Sequence, residues 1–182
     1  MCEPQKQKKH ILICGKRGVG KSTLVQKLLA SCRMPVYGFR TKATPRDENG
    51  IFQFYIHPAG NEQWFYLKEN HIGFGNERKR QIDPGVFASF GVSCLQAEAD
   101  GIILMDELGF MESESKEFCS AVMKCLDGDI PVLATVKERT DVDFLDQVRR
   151  HPNAMLYTIT EENRDELYRQ LLPLVLEWNK NI

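Results

Sequence analysis

Residues Gly15-Lys16-Arg17-Gly18-Val19-Gly20-Lys21-Ser22 follow directly on the apolar run His10-Ile11-Leu12-Ile13-Cys14. A glycine, four residues, then Gly-Lys-Ser is the spacing of a P-loop. The apolar run predicts a strand and the glycines a tight turn. Leu24, Val25, Leu28 and Leu29 predict the apolar face of a helix that opens near Lys21 and runs to about residue 32. Gly15, Gly18 and Gly20 allow backbone angles that side chains forbid, so successive N–H groups turn inward around an anion. The helix N-terminus adds its own unpaired N–H groups and partial positive charge. In such a loop the lysine, here Lys21, reaches the β- and γ-phosphates, and the hydroxyl of Ser22 ligates Mg²⁺. The candidate phosphate-binding set is therefore Gly15, Lys16, Arg17, Gly18, Val19, Gly20, Lys21, Ser22 and Thr23.

Further along, apolar patterning predicts strands at residues 36–41, 51–56, 63–67, 101–106, 131–136 and 154–158. Helices are predicted at 84–99, 113–126, 142–150 and 161–178, the last containing Pro173. The strands at 51–56 and 63–67 read as an antiparallel ribbon inserted after the first βα unit. Residues 69–85, with Gly73, Gly75, Pro84 and the basic cluster Arg78-Lys79-Arg80, read as a long loop of the kind that forms a lid or a binding loop. Strands alternating with helices give an α/β fold with a mostly parallel sheet flanked by helices, and ligand at the strand carboxyl ends. Residues 10–182 are expected to form one domain behind a flexible tail at 1–9.

The second half of the site is expected at Asp106-Glu107, which closes the apolar strand Ile102-Ile103-Leu104-Met105. A carboxylate at the tip of a strand next to the P-loop is where Mg²⁺ needs an outer anchor, so Ser22 and Asp106 are the candidate metal residues (Asp106 in a Walker-B position). Glu107 is suited to orienting or deprotonating the attacking water. The N–H of Gly109 is placed to approach a γ-phosphate. Phosphoryl transfer also calls for positive charge at the transition state. Lys42, Arg46, the Arg78–Arg80 cluster, Arg139 and Arg164 are candidates, with Arg17 the best placed by proximity. Lys21, Glu107 and Arg17 thus form the candidate catalytic set. Glu112, Glu114 and Glu117 read as favourable charge at a helix N-terminus.

Composition narrows the rest. With 24 Lys and Arg against 25 Asp and Glu, the formal net charge is −1, which excludes the basic excess of a nucleic-acid binder. Apolar stretches fall far short of the ~20 residues of a membrane span, and the N-terminus has no apolar signal core. The expectation is a cytoplasmic protein without nucleic-acid or membrane partners; a protein partner is left open. The six cysteines (2, 14, 32, 94, 119 and 125) include no C-x-x-C pair and suggest a reducing compartment. Cys14 is expected in the first strand, and Cys32, Cys94, Cys119 and Cys125 on helices.

Taken together, the P-loop, Gly38-Phe39-x-Thr41, the segment 103–112 (ILMDELGFME) and the segment 158–167 (TITEENRDEL) resemble the small cytosolic nucleoside-triphosphatases of the P-loop class. The resemblance runs from about residue 11 to 172. It implies Mg²⁺-dependent hydrolysis of ATP, GTP and other nucleoside triphosphates with little base preference. Lys21, Ser22 and Thr23 match that family's phosphate and Mg²⁺ motif, and Asp106 and Glu107 match its Walker-B pair. Asn163 and Arg164 match a segment expected near the nucleotide. The chain departs from the family pattern at Arg17, where proline is common, and at Lys42, which follows the Gly-Phe-x-Thr strand where acids are usual. Two alternatives stay open: a small-molecule or nucleotide kinase, and a nucleotide-gated regulatory module. No Asn-Lys-x-Asp guanine motif is present for a switch GTPase.

Overall fold

A computed structural model describes residues 9–181. The expected tail falls, but for Lys9, outside the described residues, as does Cys2. In chain order the strands are β1 (His10–Gly15), β2 (Val36–Ala43), β3 (Phe52–Pro58), β4 (His71–Gly75), β5 (Arg80–Ile82), β6 (Ile102–Leu108), β7 (Val132–Lys137) and β8 (Ala154–Thr158). The helices are α1 (Lys21–Leu29), α2 (Pro84–Val86), α3 (Val92–Cys94), α4 (Lys116–Asp127), α5 (Asp143–Arg149) and α6 (Arg164–Trp178). A π-helical stretch, Phe87–Gly91, joins α2 to α3.

All eight strands form one sheet in the order β5-β4-β3-β2-β6-β7-β1-β8. From β2 to β8 every pairing is parallel; β3, β4 and β5 extend the sheet antiparallel beyond β2. The central parallel strands β1, β6 and β7 are buried on both faces, and their alternate side chains feed two cores. Ile11, Ile13, Ile102, Leu104 and Leu133 face the core closed by α1 and α6. Leu12, Ile103, Met105, Val132 and Ala134 face the other, closed by α4, α5 and the helical run after Pro84. There Phe39, Phe87 and Phe118 are fully buried, and Phe118 meets the other two rings at centroid distances of 5.3 and 5.2 Å.

The α/β sheet with an antiparallel extension is as expected; its details differ in five places. Residues 63–67 form no strand. Asn70 donates from Nδ2 to the carbonyls of Ile56 and Phe65 and accepts the Leu67 N–H at 2.9 Å. The backbone groups a ladder would use are thereby taken, and Trp64 and Phe65 pack on His57. Residues 69–85 are mostly a hairpin, β4–β5, rather than a loop. The glycines that read as loop are sites of close backbone approach: a Cβ at Gly73 would lie 2.1 Å from the Gln81 carbonyl oxygen. Third, β6 does not neighbour β1, because β7 lies between them. Helix α1 also stops at Leu29, leaving Cys32 beyond it, and the helical run after Pro84 stops at Cys94. Among the described residues no helix is long and apolar enough to cross a membrane.

Candidate active site

The chain leaves β1 at Gly15, turns through the loop, and enters α1 with Gly20 (φ 103°) as its cap. That geometry brings Lys21 back under the loop it follows. The residue is 8% exposed, and Nζ donates to the carbonyls of Gly15 (2.8 Å) and Lys16 (3.1 Å). The same ammonium pairs with Glu107 Oε1 at 3.0 Å, so Lys21 and Glu107 meet at the loop mouth. Lys137 Nζ stands 3.8 Å from Glu107 Oε2. The parallel register Gly15↔Lys137 accounts for it, since β7 delivers Lys137 beside the start of the loop.

Asp106 is half-buried, and one of its carboxylate oxygens, Oδ1, accepts two hydroxyl donors: Ser22 Oγ at 3.2 Å and Thr135 Oγ1 at 2.6 Å. Because β7 separates β6 from β1, Asp106 reaches the P-loop across Thr135, a fully buried polar residue in an otherwise apolar strand. Sequence reading missed Thr135 and Lys137. The one available signal was a threonine and a terminal lysine in the run Val132-Leu133-Ala134-Thr135-Val136-Lys137. The pair Ser22–Asp106 offers adjacent hard oxygen donors, which suits Mg²⁺, an ion that takes one or two protein oxygens and completes its shell with phosphate and water.

Two expectations about the turn after β6 are revised. Gly109 N–H does not face outward toward a phosphate; it donates to Glu112 Oε2 at 2.9 Å. Glu112 is not a solvated helix-end charge. It is 0% exposed, and burial above all pushes its carboxyl up to about 7, opposed by Lys137 and the Gly109 N–H. Its second oxygen, Oε1, is buried without a hydrogen-bond partner. Glu112 therefore pins the turn that presents Asp106 and Glu107.

A cleft of about 490 Å³ opens from the P-loop on the Glu107 side. Arg17 and Lys16 stand exposed at its edge on the loop itself. Arg80, Lys137 and Arg139 gather over the Phe110 ring with their charge centres 5.1–5.4 Å from its centroid, and Arg80 also lies over Phe54. Burial and the neighbouring Arg17 and Arg139 lower the pKa of Arg80. Other candidate cations are placed elsewhere. Lys42 packs over Trp64 at 4.3 Å and Arg46 pairs with Glu77 at 2.6 Å, while Arg78 and Lys79 sit in the exposed β4–β5 turn.

A second cleft, about 330 Å³, lies on the opposite flank of the loop, between Gly20, Thr23, Arg164 and Tyr168. Arg164 contributes directly and stands 3.7 Å from Glu161. Asn163 acts on its own loop: it accepts the Thr160 N–H at 2.8 Å and donates to the Thr158 carbonyl at 2.9 Å. Val19 is buried and packs its side chain into the α1–α6 core.

A family model described as NTPase matches residues 10–172. Nucleoside-triphosphatase THEP1 of Thermotoga petrophila is 30% identical over 173 residues, which span 93% of this chain and 94% of that protein. The crystal structure of THEP1 from the hyperthermophile Aquifex aeolicus superposes with a TM-score of 0.72 at 27% identity, over 91% of this chain and 98% of that one. The solution structure of a human cancer-related nucleoside triphosphatase shares the fold, with a TM-score of 0.65 at 21% identity over 93% and 98% of the two chains.

Proposed function

The chain belongs to the NTPase family, and from that membership we propose that it hydrolyses nucleoside triphosphates to the diphosphate and phosphate, with Mg²⁺ and little discrimination between bases. One observation carries the reading: the two halves of the phosphate site, 84 residues apart in sequence at Ser22 and Asp106, meet in one place with Lys21 and Glu107 beside them.

Backbone N–H groups of the loop and the first turn of α1 cradle the phosphates, and Lys21 turns from Glu107 toward the terminal phosphate. Ser22 and Asp106 would hold Mg²⁺, which when bound would supply withdrawal of charge from the phosphate oxygens. Thr135 fixes Asp106 in that role by donating to it. Glu107, with Lys137 still beside it, orients a water in line with the bond to be broken and takes up its proton. Little covalent chemistry is asked of the protein, so positioning and electrostatics supply the rate.

The cleft beside Gly20, Thr23 and Tyr168 receives ribose and base. Lys27, Glu161 and Arg164 line much of it, and these long, exposed side chains adapt to more than one base edge. Phosphate release from ATP, GTP, CTP and UTP, each with and without Mg²⁺, tests the proposal. Release from several of them that stops when Mg²⁺ is chelated is expected. Release from one base alone, or equal release without Mg²⁺, would overturn it.

A further inference from the structure

As a γ-phosphoryl group leaves its diphosphate, charge spreads over its outer oxygens, and a cation held against them lowers the barrier. Beyond Lys21, the cations lining the cleft on the Glu107 side are Lys16, Arg17, Arg80, Lys137 and Arg139. Most are engaged or unsupported. The Arg139 fork is taken by Asp141: Nε donates to Oδ1 at 2.9 Å and a terminal nitrogen donates to Oδ2. Lys137 stands 3.8 Å from Glu107. Lys16 and Arg17 are exposed on the loop, and among the described residues no ion pair or ring contact holds either side chain. Arg80 alone in this set is both held and open.

What holds it is built from three strands and a turn. Arg80 lies on β5, at the edge of the sheet, and its partner across the ladder is Gly75 of β4. A Cβ at Gly75 would lie 2.8 Å from Arg80 Cγ, so the glycine leaves the channel through which the arginine stem crosses β4. The guanidinium arrives over Phe54 of β3, 5.5 Å from the ring centroid, and over Phe110, in the turn after Glu107, at 5.2 Å. Rings hold a guanidinium without supplying a counter-charge. No carboxylate pairs with Arg80 among the described residues, so its forked N–H edge stays open to a phosphoryl group. Burial and the charges of Arg17 and Arg139 lower its pKa, and an anion arriving among them offsets that repulsion.

We propose that Arg80 is a catalytic residue of the hydrolysis, its guanidinium contacting the outer oxygens of the γ-phosphoryl group in the transition state. The inference rests on the proposed placing of a nucleoside triphosphate on the P-loop. In the step, the oxygen of water bonds to the γ-phosphorus while the bond from that phosphorus to the β–γ bridging oxygen breaks. The diphosphate leaves with the electron pair, and Glu107 takes a proton from the water. Arg80 gives up no proton; it meets the charge that spreads over the phosphoryl oxygens. The cation thus comes from within the chain. The antiparallel extension, which supplies none of the P-loop, Asp106 or Glu107, acquires a part in the reaction through β5.

The test compares the full chain with Arg80→Met and Arg80→Lys. Mg²⁺-dependent phosphate release from ATP gives kcat and KM, and calorimetry gives the binding of ADP alone and of ADP with fluoroaluminate, a mimic of the phosphoryl group in transfer. Methionine keeps an apolar stem over Gly75 and Phe54, so a purely packing role would survive it; lysine keeps the charge and loses the fork. In Arg80→Met kcat should fall about 100-fold or more with KM within about threefold of wild type. Arg80→Lys should lose less, and it carries the comparison if Arg80→Met fails to fold. Fluoroaluminate should tighten ADP binding to wild type by about 100-fold or more. That gain should disappear in Arg80→Met while ADP alone binds equally. An unchanged kcat in both variants, a loss confined to KM, or an equal fluoroaluminate gain in Arg80→Met and wild type would overturn the inference and leave the hydrolase standing. No phosphate release by wild type would overturn the hydrolase reading and this one together.

Discussion

Replacing Glu112 by glutamine keeps the shape of the side chain and its capacity to accept the Gly109 N–H, and removes only the ionisation. In the folded chain burial pushes the Glu112 carboxyl from its ordinary value of 4.5 up to about 7. Below pH 4.5 the acid is protonated folded or unfolded, and the difference costs nothing. Between 4.5 and 7 the unfolded chain releases the proton while the folded chain keeps it, so stability falls as pH rises. Above 7 both forms are ionised and the loss is complete. A gap of about 2.5 units at ~1.4 kcal/mol per unit makes the loss roughly 3 kcal/mol. Glu112→Gln escapes it. The stability difference, variant minus wild type, should therefore grow by about 3 kcal/mol between pH 4.5 and pH 8. For a chain of this length that is a relative rise in Tm of roughly 6–12 °C. Thermal or urea unfolding of both proteins across that range reads the change directly, and any constant offset from the amide cancels. A difference that is flat with pH would show that Glu112 is hydrated or paired in the folded protein, and the reasoning would fail.

Three further outcomes follow from the same geometry. Thr135→Val removes the hydroxyl that donates to Asp106 at 2.6 Å and should raise the Mg²⁺ concentration for half-maximal phosphate release by about 10–100-fold, measured by titrating the metal at fixed nucleotide. Lys21→Ala should weaken nucleotide binding at least tenfold by calorimetry, since a charge-assisted contact of about 1.5–3 kcal/mol is lost. Gly38→Ala should cost more than about 3 kcal/mol or prevent folding, as judged by soluble yield and circular dichroism. Gly38 has φ 95°, and its Cβ would lie 1.9 Å from the Leu104 carbonyl oxygen, a backbone atom of β6 that cannot yield without parting β2 from β6.

Local patterns carried much of the architecture. A strand, a glycine-rich turn and an amphipathic helix are written contiguously at residues 10–29, and Asp106-Glu107 ends an unbroken apolar run; the structure gathers these at one site. What local reading missed depends on partners distant in sequence. The apolar run of β7 contains nothing to say that it lies between β1 and β6, so neither the Thr135–Asp106 bond nor the place of Lys137 beside Gly15 was visible. Glu112 has the same appearance as Glu114 and Glu117 in the sequence. Only the folding of its turn beneath β6 decides that it is enclosed while Glu114 stays exposed. At β4 and β5, glycine punctuation read as loop because close backbone approach and backbone flexibility both call for glycine. The aromatic residues at 64–66 alternate with nothing and pack around His57, and Asn70 takes the hydrogen bonds of a would-be strand.

The role proposed for Glu107, serving the attacking water, is tested by comparing Glu107→Gln with wild type in Mg²⁺-dependent phosphate release at saturating nucleotide, with nucleotide affinity measured alongside. Turnover is expected to fall about 100-fold or more, with affinity unchanged or tighter because Lys21 is released from its 3.0 Å ion pair to meet the phosphate. Equal turnover in the two proteins, or a loss of activity that tracks a loss of binding, would contradict it.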